Sequence, residues 1–235
     1  MWLFPLVAAV VASLFAALIG RQWLAHRRPF QAVWFVALVM YGVASVALFL
    51  GVLDGWTEGE FEVYWAFGAI LNVPWLALGE GYLLVKGRWI PAALLVGLVF
   101  LSAYVIAEVR TAPIQDAAEL SNDLPLGREV FGDGSVPHRL AQYVAYPAYV
   151  LLLVGCAWSA WRMRGRPELR DRFVGTLAIA IGATIVAVGS GVGAGLDVIP
   201  VFAVGLAAGI AVMFWGFLRA SRPGTRQATA PGSGT

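Results

Sequence analysis

Residues 63–85, VYWAFGAILNVPWLALGEGYLLV, are the stretch that decides the fold of this chain. At ~1.5 Å per residue a helix of this length spans ~35 Å, enough to cross a hydrocarbon core of ~30 Å with some tilt. The stretch nevertheless contains Asn72 and Glu80, and Pro74 lies near its middle. Polar and ionisable groups in membrane helices usually face the interior of a bundle, so we expect this helix to be an interior one.

One face of this helix is marked by aromatic, small and amide side chains at intervals of three and four residues. They are Tyr64, Gly68, Asn72, Trp75, Gly79 and Tyr82. Glu80 projects from a neighbouring face, so two faces of the helix avoid lipid. The candidate ligand or proton site predicted from this pattern consists of Asn72, Trp75, Glu80 and Tyr82.

The composition of the whole chain agrees with a membrane location. Of 235 residues, 60% are hydrophobic and only 13% are charged, compared with about 25% charged in soluble domains. Seven apolar segments are each close to the ~20 residues that a spanning helix needs. They are Trp2–Ile19, Phe30–Leu53, Val63–Val85, Trp89–Ala107, Leu140–Trp161, Phe173–Gly195 and Val198–Leu218. The sequence therefore predicts an all-α, multi-pass protein, a seven-transmembrane-helix bundle over residues 1–218 in the plasma (inner) membrane.

The distribution of charge predicts the orientation. Thirteen of the 16 basic residues follow the odd-numbered spans, whereas Arg110, Arg128 and Arg139 lie on the other side. Because basic residues stay cytoplasmic, we expect the N-terminus outside and the C-terminus in the cytoplasm. The net charge of +2 is then a difference between an acidic outer and a basic inner side, and it predicts no nucleic-acid partner.

The longest connection, residues 109–139, is expected on the outside. It retains Leu, Ile, Val and Phe, which favours a cap packed over the mouth of the bundle, although long loops are also often disordered. Pro113 is expected to open a short helix here, and Phe131-Gly132-Asp133-Gly134 is typical of a turn. The tail 219–235 is polar and rich in Pro, Gly and Ser, and we expect a disordered cytoplasmic segment.

A weak internal similarity relates the two halves of the chain. At an offset of about 138, Arg28-Pro29 aligns with Arg166-Pro167, and Phe35-Val36 aligns with Phe173-Val174. The alignment leaves open either chance similarity or a 3+1+3 parallel repeat, in which the fourth span links two units of three.

Glycine pairs at small-xxx-small spacing occur in the last two spans. They are Gly189/Gly193, Gly191/Gly195 and Gly205/Gly209. Such pairs favour close helix packing in lipid; the alternative is a pocket lined by exposed backbone.

Several kinds of chemistry are excluded by inventory. A retinal protein of the microbial rhodopsin type needs a lysine in its last span to form the Schiff base with retinal. The single lysine of this chain, Lys86, is not in that span. His26 and His138 lie on opposite sides, which excludes a haem held by two histidines. No His/Cys cluster has metal-ligand spacing, and no P-loop, HExxH or serine elbow is present. We therefore expect no catalytic residues, no metal, no cofactor and no enzymatic activity.

Glu80 permits two interpretations. A carboxylate in hydrocarbon must be protonated, paired or hydrated. It can reach the cytoplasmic headgroups and pair with Arg88 or another basic residue, or it can be a proton- or ligand-linked carboxylate in a cavity. Asn72 is similarly either an interhelical hydrogen-bonding group or a ligand contact.

A second group of candidate residues lies towards the outside. Gln142, Tyr146 and Tyr149 share one face of the fifth span, and Tyr104 lies near the outer end of the fourth. We predict that these four residues line an outer vestibule. Pro147 is expected to bend the fifth span and free a carbonyl.

Two stretches, RLAQYVAYPAYVLLLVGCAWSAWRMRGRPELRDRF and LNVPWLALGEGYLL, carry a resemblance. They resemble seven-span integral membrane proteins of high-GC bacteria. This resemblance implies a seven-span topology and points to no particular activity. The topology is also loosely similar to rhodopsin-like and SWEET-like bundles, without the retinal lysine of the former or the paired prolines of the latter. The resemblance implies a bacterial source.

Three functions remain open. The leading hypothesis is a non-enzymatic sensor or accessory module that binds a small apolar ligand or a lipid beneath the 109–139 loop. The alternative is a small-solute facilitator or proton-coupled transporter that uses Glu80. The third is a purely structural subunit. In each case the partner is the lipid bilayer, with a membrane-protein partner or a homo-oligomer left open.

Overall fold

A computed structural model describes residues 2–85, 87, 89–115, 120, 125–195 and 199–221. These residues contain seven helices that are long and apolar enough to cross a membrane, and no strand. The helices are α1 (Leu3–His26), α2 (Pro29–Asp54), α3 (Glu58–Leu84), α4 (Trp89–Thr111), α5 (Val136–Met163), α6 (Arg170–Gly195) and α7 (Ile199–Ala220). The predicted seven-helix all-α bundle is confirmed.

Six of the helices form a closed ring. In this ring α1 packs on α2, α2 on α3, α3 on α5, α5 on α6, α6 on α7, and α7 returns to α1. The remaining helix, α4, packs against α3 and the first turn of α5, and much of it is exposed, Phe100 by 73%. The cyclic order is compatible with a 3+1+3 repeat, which stays a prediction. We call the end of the bundle where α3 and α5 begin the loop end, and the opposite end the basic end.

Two helix boundaries differ from those predicted by hydrophobicity. Helix α1 continues through the basic stretch to His26 and ends at Arg27, which has a left-handed φ of 52°. Helix α3 begins at Glu58 rather than at Val63, because Thr57 and Glu60 form a capping box. Such a box satisfies two free N–H groups and starts a helix outside the apolar segment.

The short connection between α2 and α3 buries Trp56. The ring is 7% exposed and packs over Gly51 and against Phe61 and Tyr64. A side chain at Gly51 would occupy the position of the indole. Trp56 therefore fixes the loop end of α2 against α3.

Helices α6 and α7 approach each other most closely, through glycines. A Cβ added to Gly182 would lie 2.5 Å from the carbonyl oxygen of Gly209, and one added to Gly205 would lie 2.9 Å from the Cα of Gly189. Gly216 meets Gly175 in the same way, at the basic end. The close packing predicted from glycine spacing is present for Gly189, Gly205 and Gly209. Gly193 and Gly195 have no described surroundings.

The two spans with a proline beyond the first helical turn, α3 and α5, each carry a π-helical turn on the loop-end side of that proline. In α3 the π-helical turn is Tyr64–Leu71, which precedes Pro74; in α5 it is Ala141–Ala145, which precedes Pro147. A proline has no N–H and its ring crowds the carbonyl four residues earlier. Wider π-helical hydrogen bonding is one way in which the helix accommodates this crowding. Prolines therefore account for the location of both irregular segments.

The long connection is described in part. Residues 131–134 form the predicted turn, with positive φ at Gly132 and Gly134. Gly127–Val130 is a single helical turn whose Gly127 packs beneath the Trp65 ring. Most of the helix expected after Pro113, and residues 222–235 of the predicted disordered tail, lie outside the described residues.

Candidate functional site: a cavity at the loop end

A cavity of about 610 Å³ occupies the loop-end half of the ring. Five helices, α2, α3, α5, α6 and α7, form its wall, and residues 125–128 and Asp133 of the long connection lie at its loop end. Ligand sites typically measure ~300–1,000 Å³ and are mostly apolar with a few polar groups. Its apolar wall includes Leu38, Ala44, Leu48, Ala69, Leu76, Ala145, Leu152, Ala187, Phe202, Leu206, Ile210 and Met213.

The space arises from the two π-helical turns and from small residues. Gly68 and Ala69 of the first π-helical turn and Ala141, Gln142 and Ala145 of the second line the cavity. These turns pack against each other across the α3–α5 contact. Because several of the side chains that these turns present to the cavity are small, a void remains beside their contact. Gly191 of α6 also lines this void, with nothing within 4 Å of an added Cβ.

A polar layer crosses the cavity near its deep end. Tyr41, Asn72 and Tyr149 lie three or four residues from Leu38, Leu76 and Leu152, the deepest lining residues of their helices. Since α2 runs opposite to α3 and α5, these three side chains are all about one turn above the floor, ~5 Å.

The hydrogen bonds of this layer are nearly all defined. The Tyr41 hydroxyl donates to the carbonyl oxygen of Leu206 at 2.9 Å. The Tyr149 hydroxyl donates to Thr184 Oγ1 at 3.1 Å, and that hydroxyl donates onward to the Ala180 carbonyl at 2.8 Å. Asn72 is 4% exposed, and its Oδ1 has no hydrogen-bond partner. An unpaired carbonyl in a buried site costs about 1–3 kcal/mol, so a ligand that donates to it is strongly favoured.

Charged groups gather at the loop end of the cavity. Arg128 and Asp133 are among the lining residues and are well exposed, as is expected of groups at a mouth. His138 Nε2 and Gln142 Nε2 are 3.0 Å apart, and the Asp133 carboxylate is 3.9 Å from the same histidine nitrogen. Trp65 Nε1 donates to the Pro137 carbonyl at 3.2 Å, which ties this part of the chain to α3.

The residues predicted to share one face of α3 are divided among three neighbours. Asn72, with Tyr64 and Gly68, faces the cavity. Trp75 instead points to α4, where its Nε1 donates to Ser102 Oγ at 3.1 Å. Gly79 lies beneath Trp34 of α2, whose Nε1 donates to the Leu76 carbonyl at 3.1 Å.

Asn72 and Trp75 both follow the π-helical turn and lie three residues apart in the α-helical part of α3. Three residues differ by about 60° on an α-helical wheel, which is enough for the two side chains to face different neighbours. Tyr82 is half-buried and is not among the cavity-lining residues.

Glu80 is buried between α3 and α5, below the cavity floor. It is 4% exposed, and Ser159 Oγ of α5 donates to its Oε1 at 2.8 Å. Gly155 leaves room for the carboxylate, since an added Cβ would lie 2.8 Å from Glu80 Cγ. Within the described part of the chain no basic side chain pairs with Glu80. Its predicted partner Arg88 lies outside the described residues.

The four residues of the predicted outer vestibule are placed differently. Gln142, Tyr146 and Tyr149 line the cavity together. Tyr146 is also 67% exposed, so it lies at an edge of the space. Tyr104 is not among the lining residues and lies 48% exposed on α4, outside the ring.

Several lining residues were not identified from sequence. Tyr41 and Trp65 are two of them. The sequence contains a signal for some of the cavity-lining residues. Pro74 and Pro147 each follow a run of aromatic and small residues, and both runs line the cavity. Which face of α2, α6 or α7 meets those runs depends on the order of helices in the ring.

Comparison with protein-family models, with curated proteins and with solved structures finds no match. The fold and the cavity define the class of protein: a polytopic integral membrane protein whose seven-helix bundle encloses a loop-end cavity. No group of three or more His, Cys, Asp or Glu side chains with metal-binding geometry occurs among the described residues.

Proposed function

We propose that this protein is a non-enzymatic binding module of the sensor or accessory type, which holds a small apolar ligand or a lipid in the loop-end cavity. One observation carries the proposal: a space of about 610 Å³ lined by five helices and mostly apolar, whose lining residues include Asn72 with a buried and unpaired Oδ1. We also propose, from the distribution of basic residues, that the loop end faces outside a bacterial inner membrane.

Filling the cavity tests this proposal. Ala187 lines the cavity on α6, and Ala187→Phe would occupy part of the space. Ala157→Phe is the matched control, since Ala157 is exposed on α5. Native mass spectrometry of protein purified with its bound lipids is expected to show a retained small molecule in the wild type and in Ala157→Phe, and to show at least tenfold less of it in Ala187→Phe.

Equal retention in all three proteins would place the molecule elsewhere. No retained molecule in the wild type, together with no stabilisation by any member of a broad lipid and apolar-ligand panel, would favour the purely structural subunit. A ligand present at 100 times its Kd raises the free energy of unfolding by ~2.7 kcal/mol, so such a panel is a sensitive measurement.

A second candidate, a small-solute facilitator or proton-coupled carrier, is favoured by the position of Glu80. The carboxylate lies one turn beyond Leu76, which lines the cavity floor, and its described partner is the neutral Ser159. Cys156 of α5 is a second titratable side chain close to it. Intramembrane carboxylates without a basic partner often belong to proton pathways.

Proteoliposomes test this second candidate. Uptake of a solute down its gradient, with a pH dependence that disappears in Glu80→Gln, would support a carrier. A folded protein that moves no member of a broad solute panel would remove it. A partner protein or a homo-oligomer is compatible with either function, because α4 and α5 present large exposed apolar side chains.

A further inference from the structure

We propose that the cavity selects an uncharged amphiphile whose head group carries a hydrogen-bond donor, an O–H or an N–H, and that this donor binds the layer formed by Tyr41, Asn72 and Tyr149. The inference rests on the proposed binding function and adds to it the chemical class of the ligand and its orientation.

The hydroxyl donors of the two tyrosines in this layer are already used, so the tyrosines offer a ligand only acceptors. Leu206 presents a carbonyl oxygen, so the Tyr41 hydroxyl must be the donor in that bond. Thr184 gives its own proton to the Ala180 carbonyl, so the Tyr149 hydroxyl must donate to Thr184. Each tyrosine oxygen therefore retains only accepting capacity, and a hydroxyl oxygen has two lone pairs.

Asn72 adds the strongest acceptor of the layer. Its Oδ1 is buried and has no partner, whereas most buried polar atoms in proteins have one. A ligand O–H or N–H at this position would remove the penalty of the unpaired carbonyl. A ligand with only ether or ester oxygens could accept from the Asn72 amide N–H, but it would bring no donor for Asn72 Oδ1 or for the two tyrosine oxygens.

Charge is excluded by the surroundings of this layer. The described charged residues of the cavity wall, Arg128 and Asp133, belong to the loop-end connection, whereas the floor is formed by Leu38, Leu76, Leu152 and Met213. A charged head group at the level of Asn72 would be desolvated without an opposite charge.

The length of the cavity gives the orientation. Lining residues of α3 extend from Tyr64 to Leu76, a rise of ~18 Å for an α-helix. Most of this length lies above the layer, between it and the loop end, and is walled by Ala44, Ala69 and Phe202. We therefore infer that the donor enters first and that the apolar body extends towards the loop end.

Three matched probes test the inference: n-decanol, decyl methyl ether and decanoate. They share one apolar chain and differ in head group, which is a donor, an acceptor or a charge. Binding of each radiolabelled probe is measured by equilibrium partition into nanodiscs containing the protein, with protein-free nanodiscs subtracted. We expect n-decanol to bind about five- to tenfold more tightly than its methyl ether, which corresponds to one hydrogen bond.

Two variants localise the effect. Each of the single variants Asn72→Leu and Tyr149→Phe is expected to weaken the binding of n-decanol. Each is expected to leave the binding of decyl methyl ether unchanged or to tighten it. Ser102→Ala, which alters a buried hydroxyl between α3 and α4 outside the cavity, is the control. If Asn72→Leu does not fold, as judged by circular dichroism and gel filtration, Tyr149→Phe carries the measurement.

The outcomes separate the two proposals. Equal binding of alcohol and ether, unchanged in both variants, would overturn the donor inference and leave the cavity as a binding site. Tightest binding of decanoate would overturn it in favour of an anionic head group near Arg128. If none of the probes shows saturable binding, the inference is overturned. The proposed function is then decided by the separate native mass spectrometry measurement, which compares the ligand retained by the wild type with that retained by Ala187→Phe.

Discussion

The α6–α7 contact and the α3–α5 contact are two different solutions to packing helices in a membrane. Between α6 and α7, glycines of both helices meet backbone to backbone, as at Gly182 and Gly209. The α3–α5 contact contains two π-helical turns, each followed by a proline, and a buried carboxyl, and a cavity adjoins it.

The difference follows from the driving forces available in lipid. Hydrocarbon is as apolar as a leucine side chain, so helices associate through close packing and interhelical hydrogen bonds rather than through burial of apolar surface. The α6–α7 contact depends on close packing. The α3–α5 contact depends on a hydrogen bond, Ser159 to Glu80, and keeps space for a ligand. We infer that the first pair is a rigid part of the scaffold and that the second is where the cavity can change.

The largest expected effect is in the glycine contact. In Gly182→Ala the new methyl group would meet the Gly209 carbonyl at 2.5 Å, and backbone cannot move aside as a side chain does. We expect the free energy of unfolding to fall by about 3 kcal/mol, at the upper end of the range for overpacking. Unfolding in mixed micelles, followed by circular dichroism, measures it.

Gly97→Ala is the control for this prediction. Gly97 lies on α4 with nothing within 4 Å of an added Cβ, so the change is expected to be neutral or to stabilise by up to ~1 kcal/mol through helix propensity. Equal destabilisation by both alanines would show that the α6–α7 contact is not tighter than an open helix surface.

A smaller effect is expected in the α3–α5 contact. Ser159→Ala removes the hydroxyl that donates to Glu80 and leaves a buried carboxyl oxygen without this partner. We expect the free energy of unfolding to fall by about 1–2 kcal/mol. Glu80→Gln retains an acceptor oxygen for Ser159 and is expected to stay within ~1 kcal/mol of the wild type.

A double-mutant cycle sharpens this prediction. Ser159→Ala in a Glu80→Leu background is expected to be nearly neutral, which gives a coupling energy of about 1–2 kcal/mol. Ser13→Ala serves as the control, because that hydroxyl bonds only to a carbonyl of its own helix. If Ser159→Ala costs the same in both backgrounds, the hydrogen bond contributes nothing to the contact.

The smallest expected effect has the opposite sign. Asn72→Leu removes a buried, unpaired carbonyl from the cavity wall, so in ligand-free protein we expect the free energy of unfolding to rise by up to ~1 kcal/mol. Sites that sacrifice stability for binding commonly respond in this way. Destabilisation by more than 1 kcal/mol would mean that Asn72 holds helices together rather than awaiting a ligand.

The sequence by itself determined the number of spanning helices, the all-α class and the close packing at several glycines. These are local properties: apolar length decides a span, and a missing side chain permits close approach wherever the neighbour lies. The presence of Asn72 and Glu80 within the membrane was equally visible, since polar residues stand out in an apolar run.

The tertiary structure alone decided what each polar group faces. Asn72 and Trp75 lie three residues apart in the α-helical part of α3, yet Asn72 faces the cavity whereas Trp75 contacts Ser102 of α4. Glu80 meets Ser159, 79 positions along the chain, because α3 and α5 are neighbours in the ring while α4 lies outside it. Neighbour order results from the packing of all helices at once, and no single segment of sequence encodes it.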